Sequence, residues 1–100
     1  MAIEFKVILT ERAQKQLDKL IEQNNIKVIK AVQKALKQMK KDLRHPSLET
    51  HRFYGYIGQK KGDEIFESYA ENNTTSAHRL FCHYGPGRKI ISIIATLSHP

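Results

Sequence analysis

The sequence predicts an α+β fold: an N-terminal strand, a two-helix antiparallel hairpin, then an antiparallel three-strand meander, with the helices packed on one sheet face. Three observations predict it. Apolar residues recur at helical spacing from about residue 10 to 43 and then give way to short strand-like runs from residue 64 onward. Only Asn24-Asn25 interrupts the helical stretch, so two amphipathic helices must fold back on one another. Gly85-Pro86-Gly87 separates two of the later runs and reads as a hairpin connection. A chain of 100 residues with 40% hydrophobic content supports one two-layer domain, spanning 1–100.

Phe5-Lys6-Val7-Ile8-Leu9 is short, β-branched and partly alternating, which predicts the first strand. Thr10 can cap the next helix, and Glu11 is favourable in its first turn. Ala13, Leu17, Leu20 and Ile21 make Thr10 to Gln23 an amphipathic helix. Asn24-Asn25 ends it, because asparagine tolerates left-handed backbone. The second helix is expected from about Ile26 to Leu43. Its apolar stripe is Ile29, Val32, Leu36, Met39 and Leu43, and its basic stripe is Lys27, Lys30, Lys34, Lys37 and Lys41. Pro46 and the restricted His45 before it stop the helix. Residues 45–63 read as a loop or irregular strand.

Side-chain parity sorts the meander. Along 78–84, Leu80, Cys82 and Tyr84 share one face, and Arg79, Phe81 and His83 the other. A strong cation does not pack on apolar helices, so Arg79 and His83 belong to the free face. Glu67 and Tyr69 should join them from the neighbouring strand. In the last strand the more apolar set, Ile91, Ile93, Ala95 and Leu97, is expected to point inward.

The net charge of +7 is localised. Residues 27–61 hold ten Lys or Arg and two acids, a net of +8; the rest hold seven and eight, a net of −1. Such a field suits a polyanion, either nucleic acid or an acidic protein segment, although a lysine-rich helix is often just a solvated face. No apolar run is long enough for a membrane span, and no secretory signal opens the chain. A single cysteine, Cys82, cannot form an internal disulfide. The expectation is a reduced, cytoplasmic protein.

Cleaving RNA without a metal requires a base for the 2′-hydroxyl, an acid for the leaving oxygen, cations at the phosphate, and rings that orient bases. His51, Arg52, Glu67, Tyr69, Arg79, His83 and His99 supply those residue types. Each also has a plainer reading. Arg79 could simply pair with Glu67 across strands, and His83 could be an ordinary half-exposed strand residue. Zinc fits poorly, because adjacent Cys82 and His83 face opposite ways and no second cysteine exists. Cys82 is expected in the core, which argues against a nucleophile. No glycine-rich phosphate loop opens a helix.

Taken together, Ile8-Leu9-Thr10-Glu11-Arg12-Ala13 with Leu17 and Leu20, the loop from Leu43 to His51, Phe66-Glu67-Ser68-Tyr69, His78-Arg79-Leu80-Phe81, and Ile90 to His99 resemble the RelE/ParE superfamily of bacterial toxins. The resemblance spans nearly the whole chain. It implies a toxin of a type II toxin–antitoxin pair. In the RelE-like branch it implies a ribosome-dependent messenger RNA endonuclease that needs no metal or other cofactor. Arg79 then matches the strand arginine that holds phosphate, and His99 the histidine that moves protons after the last strand. His51 or Glu67 would be the counterpart of His99, with Arg52 and His83 assisting at RNA. Lys34, Lys37, Lys41, Lys60 and Lys61 would dock on ribosomal RNA. The implied partners are the ribosome, messenger RNA and a cognate antitoxin with an acidic wrapping segment. Ribosome-dependent relatives often carry an aromatic residue beyond that histidine, whereas this sequence ends at Pro100. The alternatives are a ParE-like inhibitor of DNA gyrase, which shares the fold and cuts no RNA, or an inactive relative that only binds an antitoxin.

Overall fold

Strand alternation and helix caps assemble into a five-stranded mixed sheet with both helices on one face. The computed structural model describes residues 5–55, 64–71, 77–85 and 87–98. The elements are β1 (Lys6–Leu9), α1 (Glu11–Glu22), α2 (Ile26–Lys41), one 3-10 turn (Pro46–Leu48), β2 (His51–Phe53), β3 (Ile65–Tyr69), β4 (His78–Tyr84) and β5 (Ile90–Ser98). Their spatial order is β1-β5-β4-β3-β2. β1 runs parallel to β5, and the other neighbours are antiparallel.

The expected helical hairpin forms, and for the expected reasons. Thr10 caps α1, its hydroxyl accepting from the Ala13 N–H, while the same hydroxyl donates to the Ile94 carbonyl and so ties the helix start to β5. Asn24 adopts φ 57°, and Asn25 caps α2 by accepting from the Val28 N–H. Val32, Ala35 and Met39 are buried under α2, while Ile29 and Leu36 of the expected stripe are only half-buried. The helix stops at Lys41, before the expected Leu43, because Asp42 turns to extended backbone. Leu43 is buried nonetheless. No helix is long and apolar enough to cross a membrane.

The structure adds to the predicted fold at two places. Residues 51–53, expected as loop or irregular strand, pair with β3 and extend the sheet. Three residues carry no readable alternation of their own, and their strand state comes from β3. Thr50 anchors the entry: its hydroxyl donates to the Leu43 carbonyl at 2.8 Å and lies 2.7 Å from the Ser68 hydroxyl, which then donates to it.

The second addition corrects the inward set of β5. Ile91 and Ile93 do pack under the helices with Leu80 and Cys82. Ala95 and Leu97 do not. They join Ile65, Phe81, Phe53 and Ile94 in a second apolar cluster on the opposite face. Phe81 pairs with Ala95 but Cys82 pairs with Ile93, leaving Ile94 as an extra residue. This β-bulge reverses the alternation of every residue after it. Thr96 consequently faces α1, where its N–H donates to Gln16 Oε1.

Candidate functional site

On the sheet face away from the helices, three strands converge on one carboxylate. β2–β3 pairing sets His51 opposite Glu67, and β3–β4 pairing sets Arg79 opposite Tyr69. Glu67 and Tyr69 are two residues apart and therefore share a face, so Glu67 meets Arg79 on the diagonal. Glu67 Oε1 lies 2.7 Å from His51 Nε2, and Oε2 lies 3.1 Å from Arg79 Nη1. The Arg79 guanidinium carbon sits 4.0 Å from the centre of the Tyr69 ring, and the His51 ring meets Tyr69 edge-on at 5.7 Å. Tyr69 thus braces both the Arg79 guanidinium and the His51 ring.

Exposure grades this cluster from inside to outside. The side chain of Glu67 is 7% exposed, that of Arg79 13% and that of His51 47%. A carboxylate so buried must be paired, and here one oxygen meets the Arg79 guanidinium and the other the His51 imidazole. Arg79 Nε is shut off from solvent and has no hydrogen-bond partner, so this donor remains unspent. His51 Nδ1 lies 2.7 Å from the Glu49 carbonyl, which can only accept, and Nε2 faces the carboxylate. Both contacts are satisfied when the ring carries two protons, or when Nε2 and Oε1 share one. That arrangement can hold a proton at a half-exposed ring and exchange it with an incoming group.

The remaining sequence-predicted residues separate from this cluster. Arg52 has the opposite parity to His51; it reaches Glu64 at 3.7 Å and lies over the exposed Tyr54. His83 shares the face of Arg79, but Phe81 intervenes, and its Nδ1 lies 3.0 Å from the Tyr84 carbonyl. Lys34, Lys37 and Lys41 are exposed on α2, which covers the other face of the sheet. His99, Lys60 and Lys61 lie outside the described residues. Leu97, paired with Arg79, brings the end of β5 alongside the site. Among the described residues no three His, Cys, Asp or Glu side chains group closely enough to hold a metal.

Two residues that sequence reasoning undervalued matter here. Tyr69 was placed on the correct face but given no contact; its two-residue spacing from Glu67 was the available signal. His78 was given no role. It is 6% exposed, its Nε2 lies 2.6 Å from the Thr96 hydroxyl, and burial lowers its pKa against the opposing pull of Glu71. Cys82 is buried as expected, and burial pushes its thiol up to about 12, which leaves it un-ionised and unreactive.

Comparison with known proteins places this architecture. No family model and no curated protein matches the sequence. Solved structures do match. The YoeB dimer from Staphylococcus aureus superposes with TM-score 0.67 at 13% identity, covering 97% of this chain and 99% of that one. A YoeB/ParE toxin from Agrobacterium tumefaciens gives 0.69 at 10% identity, covering 95% and 99%. The archaeal RelE–RelB complex from Pyrococcus horikoshii gives 0.64 at 12% identity, covering 98% and 96%. At these identities the likeness is one of fold, carried across the full length of each partner. Two helices on one face of a five-stranded mixed sheet, matched end to end by YoeB and RelE, give this chain the fold of the RelE/ParE toxins.

Proposed function

We propose that the protein is the toxin of a toxin–antitoxin pair and acts as a ribosome-dependent, metal-independent messenger RNA endonuclease in the cytoplasm. The observation that carries this reading is the His51–Glu67–Arg79 chain of contacts on the helix-free sheet face. Arg79 holds the scissile phosphate, which reaches the guanidinium by displacing part of the Tyr69 cover and finds Nε unspent. One group takes the 2′-hydroxyl proton as that oxygen attacks phosphorus; another gives a proton to the departing 5′-oxygen. The phosphate closes into a 2′,3′-cycle and leaves a 5′-hydroxyl. His51 and His99 are the exchange pair, and Glu67 fixes the His51 ring and balances its charge. Arg52, His83, Lys60 and Lys61 steer RNA from the periphery. Lys34, Lys37 and Lys41, across the sheet from Arg79, form a separate docking surface for ribosomal RNA. An antitoxin with an acidic segment covers the basic surface and quenches activity; the likeness to a toxin solved as a RelE–RelB complex supports an antitoxin partner.

Induced expression tests this. Arg79→Ala and Arg79→Lys should both restore growth to arrested cells, the lysine variant because it keeps charge but loses the planar fork. Primer extension should show codon-phased cuts with the parent protein only. Persistent toxicity of a folded Arg79→Lys protein would count against the site.

A second reading rests on the commitment of Arg79 to Glu67 at 13% exposure. A guanidinium so engaged fits a non-catalytic protein, either a gyrase inhibitor or an antitoxin-binding relative. DNA breaks without transcript cleavage would favour the inhibitor, and neither effect the inactive relative.

A further inference from the structure

What holds the His51 ring in place lies on the opposite face of the sheet. Thr50 sits one position before β2, so alternation sends its side chain to the helix side while His51 takes the free face. The Thr50 hydroxyl donates to the Leu43 carbonyl at 2.8 Å and accepts from the Ser68 hydroxyl at 2.7 Å. Ser68 is fully buried, between Glu67 and Tyr69 in β3. The turn between Leu43 and Thr50 is seated by buried Leu48 and by Ser47, whose hydroxyl donates to Gln38 Oε1 of α2 at 2.8 Å. It ends at Glu49 with φ 46° and ψ 42°, a left-handed conformation that carries strain for a glutamate. In that conformation the Glu49 carbonyl lies 2.7 Å from His51 Nδ1.

We propose that Thr50 and Ser68 are positioning residues for His51, and that together they fix which ring nitrogen keeps its proton. The hydroxyl pair locks the β2–β3 register: a slip of one residue would carry His51 away from Glu67 and onto the helix side. The same pair closes the turn that brings the Glu49 carbonyl to the ring. A carbonyl can only accept, so Nδ1 keeps its proton, and Nε2, beside Glu67 Oε1, is the atom at which a proton comes and goes. Two hydroxyls on one face of the sheet thereby set the tautomer of a ring on the other, acting through the backbone. The inference deepens the proposed nuclease site and rests on that reading for the use of His51 in proton exchange.

The test is heteronuclear NMR of the histidine rings in the full chain, which reads the proton on each nitrogen directly, followed by cleavage kinetics on ribosomes. In the parent, His51 should hold its proton at Nδ1 through a pH titration, with Nε2 the nitrogen that changes. Thr50→Val and Ser68→Ala each remove one hydroxyl. Both should give a mixture of the two neutral tautomers, and both should lower kcat about ten- to a hundredfold with KM unchanged. Thr50→Ser keeps the hydroxyl and should restore both readouts. Urea midpoints identify the variants that fold, and Ser68→Ala carries the test should Thr50→Val fail to do so. The proposal is overturned if the neutral parent ring holds its proton at Nε2, or if the folded variants keep the parental tautomer. A ring that responds as expected in a protein that cuts no RNA supports the positioning role and overturns the nuclease reading, so the two failures are separately visible.

Discussion

Glu67 is the residue on which the site turns, because its burial makes both partners obligatory. Removing Arg79 leaves a carboxylate that is 7% exposed with only His51 to balance it. Arg79→Ala should therefore cost about 3–5 kcal/mol of stability, read as a lower urea midpoint. Arg79→Lys keeps the charge and should cost less, which makes it the cleaner probe of function. His78 offers a pH-dependent test. Its folded pKa lies below the ordinary 6.5, so between the two values the unfolded chain binds more protons. The neutral ring's contribution is fully present above pH 6.5 and is lost as pH falls toward the folded value. His78→Gln keeps a group able to bond Thr96 but cannot titrate. Urea midpoints measured across this range should decline more in the parent than in the variant.

Among the elements, the α1 start and the β5 bulge have the most influence on the site. Thr10 caps α1 and bonds β5 with one hydroxyl, so Thr10→Ala should cost about 1–2 kcal/mol, toward the upper end for a cap. Asn25→Ala, an exposed cap whose contact with Val28 is long at 3.5 Å, should cost less. Chemical denaturation of the two variants decides the order. The bulge at Ile94 puts Ala95 beneath Phe81 on the same face as Arg79. Ala95 is fully buried, so Ala95→Leu overpacks this cluster. About 1–3 kcal/mol should be lost, with a detectable shift of the Phe81 ring resonances.

For the whole molecule, charge and topology divide the labour. The sheet separates an ion-paired cluster on one face from a lysine-bearing helix on the other. Docking through the lysines should weaken steeply with salt, because each phosphate contact releases counterions. Replacing Lys34, Lys37 and Lys41 with Gln should flatten that dependence by about two to three units of log–log slope in ribosome co-sedimentation. The same substitutions should leave the His51–Glu67–Arg79 geometry intact, since the three lysines are exposed on α2 and the cluster lies on the opposite face of the sheet.

Much of this was legible in the residues themselves. Helical periodicity, the Thr10 cap and the left-handed asparagine break at Asn24 are local properties, and they determined the hairpin. Period-two alternation likewise assigned Glu67, Tyr69 and Arg79 to one face before any partner was known. What alternation cannot carry is register. The Glu67 contacts span 16 and 12 residues of sequence, and they exist only because β2 and β4 dock on β3 at one offset. β2 is a strand because β3 makes it one, and the extra residue in β5 reverses a face that composition alone had assigned inward. Local backbone preferences decided which segments form, while long-range pairing, in which one inserted residue turns every later side chain over, decided which groups touch.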